Sequence, residues 1–364
     1  MRIFAYEFIT GGGTHGASES APDGPLLSEG LAMISRLAED LATADQVDQV
    51  TCLWDQRLPP PPTIENCQWL PVDSSQHHDQ AVREQAADAD WTIVIAPEFD
   101  GHLGRIAGDA IKAGGRLLGP GIGWIHRGTN KEHFGLLLQQ AEIRCPQGLT
   151  IPAGSTPKSC VEVFERLKSN EPLVLKPNDG AGCDGIQKYT KSDFVSFFQV
   201  ISGGNETVPR TTRIETFIPG LPASIAMLLG PTGALPLRWC AQSIEWSDAA
   251  AATPTYNGGM LPEKNFQARC ESLALKVAAL MSDEIGYVGL DLVLGKAIDG
   301  SEDAIIELNP RLTTSYVGLS QATSHNLAEA MLQHAQGERV SLNWDNLPVI
   351  FSADGEILPQ PEKK

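Results

Sequence analysis

The sequence predicts an α/β protein with α+β elements, and three observations predict it. Short apolar runs alternate with helical patterns over about the first 120 residues. A strand, a glycine-rich loop and a second strand follow one another near residue 180. Two further strands flank a polar loop centred on Asp299. The first pattern is that of a parallel sheet with crossover helices. The other two are hairpins outside it. At about 150 residues per domain, 364 residues make two or three domains. The expected division is an N-terminal α/β domain over 1–124, a central unit over 125–212, a C-terminal unit over 213–345 and a tail over 346–364.

In the N-terminal part, Arg2–Phe8 reads as the first strand. Leu31, Ile34, Leu37, Ala38 and Leu41 recur at helical spacing, with Ser28 as N-cap. Val50–Trp54 is a second strand, and Pro59 to Pro62 form a turn or linker. Thr92–Ala96 is a buried-type strand, then come a helix around Leu103–Ala113 and a strand around Arg116–Leu118. Ligands of such sheets bind beyond the carboxyl ends of the strands. Glu7 and Glu98 stand there, each beside a glycine-bearing loop (TGGGTHG and FDG).

A new segment starts near Trp124. Lys131–Ala141 fits a helix, and Leu173–Lys176 and Ile186–Tyr189 fit the two strands around the glycine loop. Ser192 caps a helix through Val200, and strands resume at Arg213–Ile218 and Ser224–Leu229. Phe266, Cys270, Leu273, Ala274, Val277, Leu280 and Met281 define an amphipathic helix stopped at Gly286. Tyr287–Leu294 and Ala304–Leu308 are strands, Ser324–Ala335 is a helix, and the tail PQPEKK is loose.

Composition excludes several function classes. A net charge of −18 is wrong for a protein that coats nucleic acid or docks on anionic lipid. The seven Cys include no C-x-x-C pair and are odd in number, which suits reduced thiols rather than a disulfide framework or a zinc site. Glu7 interrupts the apolar run a signal peptide would need. The uncharged stretch Leu221–Leu237 is broken by prolines and glycines, so it is not a membrane span. The expectation is a cytoplasmic protein with no nucleic-acid or membrane partner.

The last hairpin carries the sharpest chemical signal. Asp291 stands eight residues before Asp299 and Glu307 eight after it. A regular hairpin places the two carboxylates opposite each other, and Asn309 on the same face. Opposed carboxylates repel, and a divalent cation would turn that repulsion into coordination through hard oxygen ligands. Taken alone, the spacing fits equally an ordinary hairpin with acids facing solvent.

In PLVLKPNDGAGCDGI, Lys176 ends an apolar strand and Gly180, Gly182 and Gly185 follow. The literal pattern is G-x-G-x-x-G. A strand follows it rather than a helix, so it is not a dinucleotide fingerprint, and it lacks the G-K-[S/T] of a Walker loop. A strand–glycine loop–strand unit suits a flap whose N–H groups close over phosphates, with Lys176 as a compact cation. A plain hairpin with a snorkelling lysine remains the alternative. In RIETFIPGLPASI, a strand ending Glu215, Phe217, Ile218 offers backbone bonds and apolar walls to a base. Lys131, which opens a helix in GTNKEHFGLLL, matters only as a second phosphate contact.

The order of these pieces is lysine, lysine with glycine flap, Glu-x-Phe-Ile-x-Gly hinge, Asp, then Glu-x-Asn-Pro-Arg. Over about residues 125–320 it resembles the ATP-grasp superfamily of carboxylate–amine ligases. The resemblance implies an ATP-grasp fold preceded by a Rossmann-like pre-ATP-grasp domain. It implies that Lys131 and Lys176 hold ATP phosphates and that Gly180, Gly182 and Gly185 form the mobile flap. Glu215, Phe217 and Ile218 would meet adenine, and Asp291, Glu307 and Asn309 would hold Mg²⁺ (or Mn²⁺). Arg311 would touch phosphate or the acyl-phosphate. Two positions depart from the pattern. Pro222 stands where the family often has a ribose-holding acid, and Gly289 stands where dipeptide ligases carry an arginine.

YEFITGGG, YNGGMLP and ELNPRLTTSYVGL are similar to the subgroup that contains tyramine–L-glutamate ligase of methanofuran synthesis. That likeness implies coupling of glutamate to tyramine, or to tyrosine, by way of an acyl-phosphate. Small carboxylate and amine substrates are then the expected partners, with a homodimer as in many relatives. Glu7 and Glu98 are candidates to hold an incoming ammonium, Arg238 a substrate carboxylate, and Thr314 and Ser315 to line the substrate site. Two alternatives stay open: a ligase for another amino acid and amine pair, and a non-catalytic ATP-binding accessory protein.

Overall fold

Four strands, β1 (Arg2–Glu7), β2 (Gln49–Asp55), β3 (Cys67–Val72) and β4 (Trp91–Ile95), form a parallel sheet in the order β3-β2-β1-β4. Its helices are α1 (Pro25–Ala42), α2 (Ser75–Asp88) and α3 (His102–Lys112). This computed structural model describes residues 1–167, 172–180, 182–190, 194–249, 251–262, 265–345 and 347–359. The expected cap Ser192 and residues 360–364 of the tail lie outside them.

Helix α1 starts at Pro25 with Gly24 as cap residue, so Ser28 lies inside its first turn rather than at its cap. Proline is pre-set for that position. Strand β3 and helix α2 were not evident in the sequence. The strand contains Pro71, and α2 buries only His78, Ala81, Val82 and Ala86, too thin a stripe to stand out. The expected strand at Arg116–Leu118 shrinks to one bridge, Thr92 to Leu117.

Helices α4 (Ile122–Thr129) and α5 (Lys131–Gln140) lead to an antiparallel layer. It contains β5 (Gly148–Ile151), β6 (Leu173–Pro177), β7 (Gln187–Tyr189) and β8 (Thr212–Thr216), with α6 (Pro157–Leu167) and α7 (Phe194–Ser202) packed around Phe164, Tyr189 and Phe197. Strand β8 pairs with β6 and β5, so a division at residue 212 cuts into this sheet.

A larger antiparallel sheet follows. Its strands are β9 (Leu221–Gly230), β10 (Gly233–Trp246), β12 (Pro254–Leu261), β13 (Gly286–Leu294), β14 (Ala304–Asn309), β15 (Val349–Phe351) and β16 (Ile357–Leu358), in the order β14-β13-β9-β10-β12-β15-β16. The short β11 (Ala251–Ala252) crosses back to pair with β7. The β9–β10 hairpin accounts for the uncharged stretch Leu221–Leu237, whose Pro231 and Thr232 make the turn. Among the described residues no helix is long and apolar enough to cross a membrane.

Helix α8 (Gln267–Ala278) covers one face of this sheet, and α9 (Ser315–Gln321) and α10 (Leu327–Ala335) lie between it and α1. The last helix starts three residues later than the sequence suggests, because the Asn326 side chain caps it by accepting from the Glu329 N–H at 3.0 Å. One apolar core runs from Ile3 and Leu37 to Leu228, Tyr316 and Phe351, joining the first sheet to the last. At its rim the buried Asp40 of α1 accepts from the Tyr316 hydroxyl at 2.8 Å. The N-terminal layer is therefore fixed against the sheet that bears the candidate metal face.

Candidate functional site

A cavity of about 470 Å³ lies where β6 and β8 face β9, β10, β12, β13 and β14, with α1 closing one end. That is the size of a small-molecule site. Asp291 and Glu307 are direct partners across β13 and β14. The register skips Ile306 just beyond them, and both residues line the cavity. Asn309 Nδ2 donates to Asp291 Oδ2 at 2.9 Å, and Gln242 Nε2 donates to Oδ1 at 2.8 Å. Burial, then the charge of Glu307, pushes the Asp291 carboxyl up to about 6 despite those two bonds.

Among the described residues no three His, Cys, Asp or Glu are grouped to hold a metal by themselves. The donors present are two facing carboxylates and one amide oxygen. That hard-oxygen set fits Mg²⁺ or Mn²⁺ drawing its remaining ligands from phosphate and water.

The two lysines come from different elements, Lys176 in the cavity lining and Lys131 behind it on Glu307. Lys176 at the end of β6 lies 2.7 Å from Glu215 Oε2, and Arg213 Nε is 3.1 Å from Oε1 of the same carboxylate. Lys131 opens α5 and lies 2.6 Å from Glu307 Oε1, while its ammonium also donates to the Gly180 carbonyl at 2.8 Å. Asn130 caps α5, and Asn178, two residues before the flap, accepts from the Glu132 N–H at 3.2 Å. The glycine loop and the lysine helix are thus joined at the first two residues of α5. Gly182 and Gly185 have φ of 60° and 67°, the left-handed region that favours glycine.

Phe217, Ile218 and Pro222 line the end of the cavity beyond Lys176. The Phe217 N–H is taken by the Pro172 carbonyl at 2.8 Å. Lys188 lies 5.1 Å from the Phe217 ring and 4.6 Å from the Trp246 ring. This end of the cavity is therefore an aromatic wall backed by a cation.

At the opposite end Arg311 lines the cavity. Its Nε and Nη2 donate to the two oxygens of Glu98 at 2.8 and 2.9 Å. Thr314 and Ser315 line the same end. The Thr314 hydroxyl meets the Tyr256 hydroxyl at 3.4 Å, and Ser315 Oγ lies 2.8 Å from Thr313 Oγ1.

Residues 129–315, more than half of the chain, match the ATP-grasp domain family. The chain belongs to the ATP-grasp family. Residues 49–122 match the pre ATP-grasp 3 domain. Solved ATP-grasp relatives share the fold at low identity. A protein assigned to the ATP-grasp superfamily from Archaeoglobus fulgidus is 20% identical with a TM-score of 0.65, over 97% of this chain and 92% of its own. PurK, N5-carboxyaminoimidazole ribonucleotide synthetase in its ADP complex, is 15% identical with a TM-score of 0.67, over 96% and 80%. An L-amino acid ligase from Bacillus licheniformis is 15% identical with a TM-score of 0.60, over 92% and 74%.

Within this ATP-grasp fold three expected substrate residues take other places. Arg238 lies in the middle of β10, not at a strand end, and its guanidinium donates to the Asp345 and Pro262 carbonyls, both at 2.6 Å, away from the cavity lining. Glu7, expected to hold an ammonium, is 4% exposed, and its carboxylate is taken by the Ile9 and Thr10 N–H groups and the Thr10 hydroxyl. Glu98 is 1% exposed and spends both oxygens on Arg311, so it holds the arginine and not an ammonium.

Sequence reasoning missed Gln242, Tyr256 and Glu29, all cavity residues. Gln242, Ile244 and Trp246 do alternate toward the cavity along β10, a period-2 signal visible in CAQSIEW.

Proposed function

We propose that this ATP-grasp protein is an ADP-forming carboxylate–amine ligase that activates its acid as an acyl-phosphate. We take the pair to be glutamate and tyramine, or tyrosine, in assembly of a methanofuran-type one-carbon carrier. The observation that carries the ligase reading is one cavity bearing Asp291, Glu307 and Asn309 on a single face, with Lys176 in its wall and Lys131 on Glu307. The L-amino acid ligase among the fold relatives is in keeping with it. The substrate pair rests on the likeness of YEFITGGG, YNGGMLP and ELNPRLTTSYVGL to that subgroup. Seven free thiols suit a cytoplasmic setting.

In this reading the nucleotide base lies against Phe217 and Ile218, and its phosphates run toward Lys176 and Lys131. Both lysines are buried, so each charge acts at low dielectric and is worth more than at a surface. Asp291, Glu307 and Asn309 hold the divalent cation, which when bound neutralises charge on the transferring phosphoryl group. The flap closes over the phosphates and keeps water from the acyl-phosphate. The amine then attacks the acyl carbon, and Arg311, kept charged and oriented by Glu98, stabilises the tetrahedral oxyanion and the departing phosphate. Cys183 in the flap is not a nucleophile here, because burial pushes its thiol up to about 11.

The test is ADP and phosphate release with Mg-ATP, glutamate and tyramine, against each single omission, with product mass recorded. Release that needs both substrates, with a mass of the two minus water, establishes the reaction and the pair. Release with a different amine keeps the ligase reading and replaces the pair. No ADP release across a panel of amino acids and amines sinks the ligase reading.

A further inference from the structure

The charges around the cavity are matched almost everywhere. Lys176 and Arg213 share Glu215, Lys131 meets Glu307, and Arg311 is closed by Glu98. Glu29 is different. It projects from the first turns of α1 into the cavity wall at the Arg311 end, and its carboxylate makes no hydrogen bond or ion pair among the described residues. Burial holds its carboxyl above the usual range, and the Arg311 charge offsets only part of that rise.

The orientation of Glu29 is built into the fold. Its neighbour Gly30 packs on the Glu7 carboxylate, and a Cβ at Gly30 would stand 2.7 Å from Glu7 Oε2. Glu7 is itself pinned by three hydrogen bonds at the end of β1. The side of α1 that carries residue 30 is thereby seated on β1, while Glu29 and, one turn on, Met33 face the cavity. Around Glu29 lie the Arg311 guanidinium, already closed by Glu98, the Cys183 thiol, and the hydroxyls of Tyr256 and Thr314, which bond to each other.

A partly desolvated carboxylate with no ion-pair partner, beside hydroxyl acceptors and an apolar methionine, is complementary to an ammonium on an apolar stem. We propose that Glu29 binds the primary ammonium group of a substrate and sets the requirement for that charge. Naming the two substrates that could bring it, the attacking amine or the α-ammonium of the amino acid being activated, rests on the ligase reading. The ammonium pocket itself does not.

The test uses equilibrium binding, so it does not depend on turnover. The full chain is saturated with Mg²⁺ and a non-hydrolysable ATP analogue. Calorimetry then compares charged and neutral members of matched pairs: tyramine with 4-ethylphenol, butylamine with butanol, and L-glutamate with glutarate. The wild type is expected to favour the ammonium member of at least one pair by roughly tenfold. E29Q is expected to erase that preference while its thermal midpoint and its affinity for the nucleotide analogue stay those of the wild type. Loss confined to the amine pairs assigns the pocket to the nucleophile, and loss confined to glutamate assigns it to the acid. A wild type indifferent to the ammonium in every pair, or an E29Q variant that keeps the preference, overturns the proposal. Turnover measured in parallel reports on the ligase reading separately, since a protein that fails to turn over can still show the charge preference.

Discussion

Glu98 and Arg311 meet as a two-pronged pair, 2.8 and 2.9 Å, although 213 residues separate them. Glu98 follows β4 of the N-terminal sheet, and Arg311 follows β14, the strand of Glu307 and Asn309. The pair is therefore a bolt between the two layers and also the support of the arginine. Removing one partner of a buried pair leaves an uncompensated charge and costs about 3 kcal/mol or more. Glu98→Gln should lower the urea midpoint accordingly and reduce turnover further than stability alone explains. An E98Q protein that unfolds at the wild-type midpoint would show the pair to be idle.

The Asp291 carboxyl sets a pH dependence with a definite sign. Its folded value, about 6, lies above the ordinary 3.8. Between those values the metal-free native protein holds a proton that the unfolded chain has released. Its contribution to stability is full below the unfolded value and is lost as pH rises through the folded one. Melting temperatures in chelator should fall across that window, and Asp291→Asn should flatten the fall. Added Mg²⁺ selects the ionised carboxylate, so the stabilisation it confers should grow with pH across the same window. A Mg²⁺ effect equal at both ends of the window would remove Asp291 from the metal face.

Lys176 and Glu215 are 3% and 7% exposed in their side chains and 2.7 Å apart. Lys176→Met deletes the cation in the cavity wall at the end of β6 and leaves Glu215 with Arg213 alone. Affinity for ADP, read by calorimetry, should fall roughly 10- to 100-fold, or about 1.4–2.7 kcal/mol. Unchanged ADP affinity would move the phosphate site away from β6.

The hairpin with Asp291 and Glu307 was legible because strand pairing converts equal sequence spacing into a shared face, and both residues lie in one short segment. Lys176 and the flap glycines were legible for the same local reason. Gln242, which reaches Asp291 from 49 residues away, was not, since nothing local marks its partner. Glu7 and Glu98 were read as candidates to hold an ammonium, and both are buried on partners of their own. Their burial comes from the Thr10 turn and from Arg311, contacts that periodicity does not encode. The α/β class survived intact, while polar α2 and the proline-bearing β3 were lost because neither presents a clean apolar period.

The YNGGMLP segment reads in the structure as a backbone device. Gly258 has φ of 112°, and a Cβ there would collide with the Phe351 carbonyl oxygen of β15. The pairing of β10 and β12 shifts register at this point, between Gln242 opposite Gly259 and Ile244 opposite Tyr256. The bulge therefore carries Tyr256 to the cavity while β15 closes against the bare glycine. Gly258→Ala should cost more than backbone strain alone, at least about 3 kcal/mol, because strand β15 must move. Gly233 supplies the comparison: its φ is 107°, yet nothing lies within 4 Å of its Cβ position. Gly233→Ala should therefore show only the strain of the left-handed backbone, about 1–2 kcal/mol. Equal losses in the two variants, measured by urea unfolding, would mean that the Phe351 carbonyl does not press on Gly258. A larger loss at Gly258, with weakened binding at the Tyr256 end, would tie the double glycine to the shape of the site.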